Sequence, residues 1–150
     1  MYTLYRETIV QTSIDKAWDF IRNPANLNKI TPDDMAFEIV SDLPEEMYDG
    51  LMVQYSVKIP FIGIQPWLSE IKYVVHQHSF VDEQKIGPYK FWHHYHAIER
   101  VKDGVKFIDK VTYEVPYSFL GRLAHALFIR KTLERIFAYR NEQFTRLLTE

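Results

Sequence analysis

Apolar positions recur with a helical period over residues 116–150. Large apolar side chains fall there every three or four residues, which is typical of a helix with one buried face. Ser118 stands where an N-cap is expected, and no proline interrupts the run after Pro116. The pattern predicts one long C-terminal helix with Gly121 in its first turn. Its apolar positions are Phe119, Leu120, Leu123, Leu127, Phe128, Ile136, Phe137, Phe144, Leu147 and Leu148.

Basic residues lie between these apolar positions. A row of basic side chains on a helix is usually a solvated face, and an RNA-binding surface is the less favoured alternative. The formal net charge of −2 gives the chain no overall attraction to nucleic acid or to anionic membranes. We therefore expect no nucleic-acid partner and a solvent-exposed row. The row consists of Arg122, Arg130, Lys131, Arg135, Arg140 and Arg146.

Alternation of apolar and polar residues predicts strands over most of the remaining chain. Residues 3–11 are rich in Thr, Ile, Val and Tyr and form the first predicted strand. Ser13 is a suitable N-cap for a short helix after it, and Asn23-Pro24 ends that helix. A second helical turn follows over Ala25–Ile30. Six further strands are predicted at residues 35–41, 51–59, 66–77, 79–86, 89–100 and 105–115.

The order of these elements predicts the fold class. Short connections, including the tight turns at Gly87-Pro88 and Asp103-Gly104, imply an antiparallel sheet. The strands alternate, so one face of the sheet has to be covered, and the C-terminal helix is the element long enough to cover it. We expect an α+β fold in which a curved seven-stranded sheet wraps around that helix, as one domain over residues 1–150. A curved sheet on a straight helix leaves a gap, where a pocket is expected.

Strand alternation also predicts which side chains face this gap. In the last strand, the inward set contains Asp109, and a buried carboxylate has to be paired, hydrogen-bonded or protonated. Tyr73 shares the expected inner face of its strand with Trp67. Two helix residues complete the predicted lining of the pocket. The whole predicted ligand-contacting set is Trp67, Ser69, Ile71, Phe80, Trp92, His94, His96, Phe107, Asp109, Val111, Tyr113, Leu123 and Leu127.

Composition narrows the class of protein further. Three Trp, ten Tyr and ten Phe are a large number of rings, which favours an aromatic core or a ring-lined cavity. Cysteine is absent, which excludes disulfides, a thiolate nucleophile and a cysteine-based zinc site. The first residues lack the apolar core of a signal peptide, and no apolar run is long enough to span a bilayer. A soluble cytoplasmic protein without stable membrane insertion is expected.

Four short motifs occur in the last two predicted strands, in the turn before them and at the start of the long helix. They are Gly87-Pro88-Tyr89, Trp92-x-His94-x-His96, Asp109-x-Val111-x-Tyr113-x-Val115-Pro116 and Leu120-Gly121-Arg122-Leu123-Ala124. Together with the order of elements, they resemble the START-like or Bet v 1-like superfamily. Within it, the chain is similar to bacterial ligand-binding proteins grouped with polyketide cyclases/dehydrases and lipid-transport domains. The resemblance covers essentially the whole chain.

This resemblance implies a helix-grip fold with a cavity between the long helix and the sheet. It also implies that the partner is a small hydrophobic or amphipathic molecule. It implies no single reaction, because the superfamily contains enzymes, carriers and receptors. A carrier or sensor of such a molecule is the first functional hypothesis.

The histidines are the basis of the second hypothesis, that the protein is an enzyme. His94 and His96 stand two residues apart on one strand, with Asp109 expected opposite them. A His–Asp pair is an acid/base unit, so these three are the candidate catalytic residues of a cyclase or dehydratase. Ligand anchoring or a structural hydrogen-bond network is the favoured alternative. His76, His78 and His93 are expected at the rim or exposed.

The same three side chains could hold iron or zinc, since two histidines and one carboxylate are a known ligand set. Spacing of two residues on a strand is a weak signal for a metal, however, and the resembled superfamily is largely metal-free. We therefore expect no metal and no cofactor.

The apolar loop over residues 60–67 is the basis of the third hypothesis, that the protein is a protein-interaction module. Phe61, Ile62, Ile64 and Trp67 are expected to pack on the C-terminal helix. The alternative is a specific functional role, either as a lid over the cavity or as an interface with a second subunit, because exposed apolar loops often mark contacts. The sequence leaves a monomer and a homodimer equally open.

Overall fold

Seven strands form one antiparallel sheet in the structure, a computed structural model that describes residues 1–149. The strands are β1 (Tyr2–Val10), β2 (Glu38–Ile39), β3 (Met52–Ile59), β4 (Gly63–Val75), β5 (Ser79–Ile86), β6 (Phe91–Val101) and β7 (Gly104–Glu114). Their order across the sheet is β1-β7-β6-β5-β4-β3-β2, and neighbouring strands run antiparallel. The predicted seven-stranded antiparallel sheet is confirmed.

Strand β2 is much shorter than the predicted strand at residues 35–41. Asp33–Met35 forms a 3-10 turn, and Ala36 follows it in a left-handed conformation with φ of 42°. This reversal keeps the chain out of the hydrogen-bonded ladder until Glu38.

Strand β4 contains an irregularity that overturns one predicted inward residue. Its pairing with β5 shifts register between Lys72 and Val75, and Tyr73 has a positive φ of 54°. The extra residue of such a bulge re-aims the side chains on either side of it. Tyr73 is therefore 67% exposed, instead of facing inward with Trp67.

Two short helical segments follow β1, as predicted. Helix α1 (Ile14–Ile21) begins after Ser13, whose Oγ accepts a hydrogen bond of 3.2 Å from the Lys16 backbone N–H. A 3-10 helix (Pro24–Ile30) comes next and contacts the C-terminal helix.

The C-terminal helix is continuous from Ser118 to Leu148. It consists of α2 (Ser118–Ala124), a π-helical turn (His125–Ile129) and α3 (Arg130–Leu148). Ser118 is its first residue rather than its N-cap, because Tyr117 holds the cap position in a left-handed conformation without a side-chain cap. The predicted last residue, Glu150, lies outside the described residues. No helix within residues 1–149 is both long and apolar enough to cross a bilayer.

The π turn changes which face of this helix is buried. Downstream of it, Leu133, Phe137 and Phe144 lie on the core side with the expected spacing. One additional residue in a turn rotates the upstream face by about 100°. The buried positions before and at the start of the turn are accordingly Gly121 and His125. The predicted apolar positions before and within the turn are solvent-facing instead: Phe119 (66% exposed), Leu120 (69%), Leu123 (47%) and Leu127 (63%).

Gly121 permits a close approach at the start of the helix. A Cβ atom there would lie 1.8 Å from the carbonyl oxygen of Pro116. The end of β7 and the first turn of α2 can therefore pack together only because this residue has no side chain.

The hydrophobic core consists of two clusters on the concave side of the sheet. The first is built around α1 and the end of α3, and includes Trp18, Ile98, Phe107 and Phe144. The second lies under the other half of α3. Its members include Met35, Val57, Trp67, Trp92, Val111, Tyr113, Leu133 and Phe137.

Candidate functional site

A layer of polar side chains separates the two core clusters. On β7, Asp109 stands between Phe107 of the first cluster and Val111 of the second. On α3, Arg140 stands in the same way between Phe137 and Phe144. The neighbouring strands contribute at the same level, so the layer crosses the interior. We define the polar layer as Ser69, Asp82, His94, His96, Asp109 and Arg140.

His94 lies between the two carboxylates of the polar layer. Its Nε2 is 2.8 Å from Asp109 Oδ1, and its Nδ1 is 3.3 Å from Asp82 Oδ2. The ring and Asp109 are almost fully buried, while Asp82 is partly open to the cavity described below. Both ring nitrogens thus face an acceptor, an arrangement that suits the protonated imidazolium.

The contacts of His96 determine its tautomer. Arg140 Nη2 lies 3.1 Å from His96 Nδ1, and a guanidinium can only donate hydrogen bonds. Nδ1 therefore accepts, and the ring proton sits on Nε2, which donates to Asp82 Oδ2 at 2.7 Å. Arg140 Nε also donates to Asp109 Oδ2 at 3.0 Å. The guanidinium joins both halves of the layer.

Burial and pairing shift the pKa values of these groups in opposite directions. Burial alone would raise the pKa of Asp109, but the Arg140 charge and the histidine hydrogen bonds hold it well below its usual range. For Asp82, the two histidines likewise outweigh burial and lower the pKa. Burial opposes protonation of His94, yet its bonds to both carboxylates raise its pKa. Burial and the nearby charge of His94 lower the pKa of His96.

These directions make the polar layer electrically neutral overall. Asp82 and Asp109 are the two anions, and Arg140 and His94, whose two ring nitrogens both face carboxylates, are the two cations. His96, whose Nδ1 accepts from Arg140, is neutral. Buried charges are tolerated when they are paired and hydrogen-bonded in this way. The layer is a self-consistent network, and Asp109 is paired as the sequence required.

A second set of hydrogen bonds connects the layer to the aromatic side chains. Ser69 Oγ donates to Asp82 Oδ1 at 3.4 Å and accepts from Trp67 Nε1 at 3.1 Å. The Tyr55 hydroxyl lies 3.5 Å from the same Oγ. Within residues 1–149, Asp82 Oδ1 has only this long contact with Ser69, so it keeps acceptor capacity towards the cavity.

A cavity of about 190 Å³ opens between α3, the 3-10 segment and the concave face of the sheet. Its wall is mostly aromatic and aliphatic, and part of the polar layer forms its polar side. The apolar lining includes Phe20, Leu27, Ile30, Met35, Phe37, Val53, Tyr55, Val57, Tyr89, Trp92, Leu133, Ile136 and Phe137. The polar lining includes Asn23, Asn26, Ser69, Asp82, His94, His96 and Arg140.

The predicted contact residues fall into four groups in the structure. Phe107 and Asp109 lie on the side of the histidines away from the cavity, beside a void of about 10 Å³. Val111 and Tyr113 are buried in the core without lining the cavity. Leu123 and Leu127 are exposed and do not line the cavity, a correction that follows from the π turn. Seven line the cavity: Trp67, Ser69, Ile71, Phe80, Trp92, His94 and His96.

Two central members of the layer were missed from the sequence. Asp82 was not among the predicted contact residues, although it alternates with Phe80 on β5 and both line the cavity. Arg140 was assigned to the solvated row but is only 7% exposed, because it pairs with Asp109. Its position three residues after Phe137 and four before Phe144 was the signal that it lies on the core side.

The other histidines and the apolar loop have different surroundings. His76 and His78 are exposed, as expected, and His93 is half-buried. In the loop, the Phe61 ring contacts Phe128 of the C-terminal helix with 4.9 Å between centroids, although Phe61 remains 88% exposed. The roles of this loop as a lid or an interface stay predictions.

His125 forms a second buried contact that the sequence did not reveal. Its Nε2 lies 2.7 Å from the Tyr113 hydroxyl, and its ring stacks on Tyr2 with 3.5 Å between centroids. Burial, followed by the Arg130 charge, lowers its pKa, so the neutral ring accepts the hydrogen bond. The π turn places it there.

Asp82, His94 and His96 are the described residues whose arrangement could hold a metal ion. One ligand atom from each lies within 4.8 Å of the others. The sequence-based metal alternative used Asp109 as the carboxylate, whereas Asp82 takes that place on the cavity side.

Solved structures share this architecture, although the sequence matches no known protein family and no curated protein. Protein CV1439 from Chromobacterium violaceum matches with a TM-score of 0.76 at 7% identity, over 100% of this chain and 99% of that one. Ms6760 from Mycobacterium smegmatis matches at 0.69 and 16% identity, over 97% and 89%. Ara h 8.0201, a Bet v 1-like protein, matches at 0.60 and 14%, over 95% and 97%. The chain has a helix-grip fold.

The helix-grip fold is what these comparisons establish, because identities of 7–16% carry no activity from one protein to another. The predicted α+β class, with a curved sheet around the C-terminal helix, is confirmed. The resemblance is confirmed at the level of the Bet v 1-like fold, and the bacterial branch stays a prediction.

Proposed function

We propose that this chain is a cytoplasmic ligand-binding domain that carries or senses a small hydrophobic or amphipathic molecule. The observation that supports the proposal is the cavity beside α3, whose wall is largely aromatic and aliphatic with a few convergent polar groups. Such a composition is typical of small-molecule sites.

The size of the cavity limits the ligand to a small molecule. Its volume is about 190 Å³, and an engineered apolar cavity of about 150 Å³ takes up benzene. One or two fused rings, or a short branched chain, fit this space. A long acyl chain would extend out of it.

The polar side of the cavity favours a ligand that donates a hydrogen bond. Asp82 Oδ1 keeps acceptor capacity, whereas His94, His96 and Arg140 are engaged with each other and with the carboxylates. A phenol or an alcohol would direct its hydroxyl at Asp82 and its apolar part at Trp67 and Trp92.

Binding of 2-naphthol and of naphthalene, measured by tryptophan fluorescence and native mass spectrometry, tests this function. We expect 2-naphthol to bind more tightly than naphthalene, and Asp82→Asn to reduce that preference. Glu83→Gln is the matched control, because Glu83 lies next to Asp82 in the chain but pairs with Lys72 and Lys85 on the outer side. The proposal is wrong if neither compound binds and protein purified from its own host carries no small molecule.

The second candidate is a cyclase or dehydratase that uses His94, His96 and Asp109. The position of His94 on the cavity wall favours it. The contacts favour an acid rather than a base, because both ring nitrogens of His94 face carboxylates, which suits the protonated ring, and the lone pair of His96 accepts from Arg140. Turnover of small aromatic polyketide-like substrates by wild type, His94→Ala and Asp109→Asn tests it. Equal rates in all three would reject the catalytic assignment.

A further inference from the structure

We propose that Asp82, His94 and His96 form a binding site for one divalent transition-metal ion on the cavity wall. The proposal does not depend on the identity of the cavity ligand. It rests on the relative positions of three ligand atoms, on the support behind them and on their access to the cavity.

The ligand atoms of the three residues all lie within 4.8 Å of one another, and two of the three separations are close to metal-binding values. Asp82 Oδ2 lies 3.3 Å from His94 Nδ1 and 2.7 Å from His96 Nε2. Around a tetrahedral zinc ion with bonds of about 2.0–2.2 Å, neighbouring ligand atoms are roughly 3.3 Å apart. One separation therefore fits as it stands, and the other has to open by roughly 0.6 Å.

The side of the histidines that faces away from the cavity is supported by one carboxylate. Asp109 Oδ1 lies 2.8 Å from His94 Nε2 and 3.3 Å from His96 Nδ1, and Arg140 holds the other oxygen. Metal-binding histidines usually donate their second ring N–H to such a carboxylate, which fixes the ring and the tautomer. Asp109 Oδ1 can accept a hydrogen bond from each of the two rings at the same time.

Metal binding requires a defined rearrangement of protons. His94 keeps the proton on Nε2, which donates to Asp109, and releases the proton on Nδ1 to solvent through the cavity. The His96 proton moves from Nε2 to Nδ1, where it points to Asp109 and replaces the acceptor contact with Arg140. Arg140 retains its bond of 3.0 Å to Asp109 Oδ2.

The location of the three ligands leaves coordination positions open towards the cavity. Asp82, His94 and His96 all line it, whereas Asp109 does not. An ion held by three residues on one wall can bind a further ligand atom from the opposite side. A hydroxyl or carboxylate of the cavity ligand would have access to that position.

The ligand types select the kind of metal. Two imidazoles and one carboxylate suit Zn²⁺, Co²⁺ or Fe²⁺, whereas Mg²⁺ and Ca²⁺ prefer oxygen ligands throughout. The chain offers no thiolate to compete for the ion.

The test uses chelator-treated full-length protein titrated with Co²⁺ and Zn²⁺. We expect one ion per chain by native mass spectrometry, a visible Co²⁺ spectrum typical of four or five ligands, and displacement of Co²⁺ by Zn²⁺. Asp82→Asn and His96→Gln should weaken binding at least tenfold. Asp109→Asn should weaken it by about 10–100-fold through loss of the support behind the rings.

Matched controls are Glu83→Gln and His93→Gln, which alter the next residues on β5 and β6 away from the cavity. They should bind Co²⁺ like the wild type. Equal affinity of Asp82→Asn and Glu83→Gln would overturn the proposal.

A measurement on the wild type keeps the proposal testable if the variants do not fold. Side-chain ¹⁵N NMR distinguishes metal-bound from protonated imidazole nitrogens. Zn²⁺ should shift Nδ1 of one buried histidine and Nε2 of another. Unchanged His94 and His96 signals in the presence of excess Zn²⁺ would show that the site does not exist.

Discussion

At the residue scale, Arg140 determines whether the polar layer can remain charged in the interior. It contacts both Asp109 and His96 and packs over the Phe144 ring, with 4.9 Å from its guanidinium carbon to the ring centroid. Removing one partner of a buried ion pair leaves the other uncompensated, which typically costs several kcal/mol.

Replacement of Arg140 by methionine should therefore lower the free energy of unfolding by about 3 kcal/mol, because Asp109 keeps only His94 as a cationic partner. Arg135→Met is the matched control. Arg135 is solvent-exposed and pairs with Asp34, so its loss should cost less than about 1 kcal/mol. Urea denaturation measures both values.

The double variant Arg140→Met with Asp109→Leu checks the cause of that loss. Asp82 and His94 then remain as one balanced pair, so part of the lost stability should return. A double variant less stable than Arg140→Met would show that packing, rather than charge, explains the effect.

His125 gives the chain a pH dependence that can be isolated from the other histidines. Its pKa is lowered in the folded state, chiefly by burial, so the unfolded chain binds more protons below the ordinary value of about 6.5. Stability therefore falls as pH decreases through that range and levels off above it.

Comparing the free energy of unfolding of wild type and His125→Gln at several pH values between 5 and 8 measures the contribution of His125 to this pH dependence. The wild type should lose stability relative to the variant as pH falls, while the remaining histidines titrate in both proteins. An increasing advantage of the wild type towards pH 5 would contradict the direction of the shift.

The sequence predicted only those residues of the polar layer that the apolar–polar alternation within a single strand makes recognisable. His94, His96 and Asp109 stood out because polar side chains interrupt apolar faces of period two. The burial of Asp82 and Arg140 is explained by their charged partners on other elements. Such pairing between distant elements cannot be predicted from the alternation within one segment.

At the element scale, the π turn at His125–Ile129 divides the C-terminal helix into two halves with different roles. The downstream half has the predicted core face, whereas the upstream half exposes its leucines. A period of 3.6 predicts the helix but not an inserted residue, so the phase before the turn could not be obtained from the pattern.

Two alanine substitutions measure this difference. Leu133→Ala should cost about 2–5 kcal/mol, since Leu133 is buried between helix and sheet. Leu127→Ala should change stability by no more than about 0.5 kcal/mol, since its side chain is 63% exposed. Equal losses in urea denaturation would mean that both leucines lie against the core.

At the scale of the whole molecule, the cavity costs stability that a better-filled interior would recover. Ile136 is half-buried on the cavity wall, and a larger side chain there can fill the space. Binding sites often trade stability for function in this way.

Ile136→Trp should keep or raise the melting temperature and abolish uptake of 2-naphthol, as measured by thermal unfolding with and without ligand. Wild type should be stabilised by the ligand, because binding favours the folded state. Equal ligand-induced stabilisation of both proteins would place the ligand outside this cavity.

The balance of charge in the polar layer also affects which ligands the cavity can bind. Two anions already face two cations there, so a neutral alcohol or phenol leaves the layer electrically neutral. An ionised ligand would bring an unpaired charge out of water. An ion at Asp82, His94 and His96 that replaces one proton adds one positive charge. The preference should then move to ligands that carry a carboxylate, so metal loading would change the selectivity of the protein through charge while the fold stays the same.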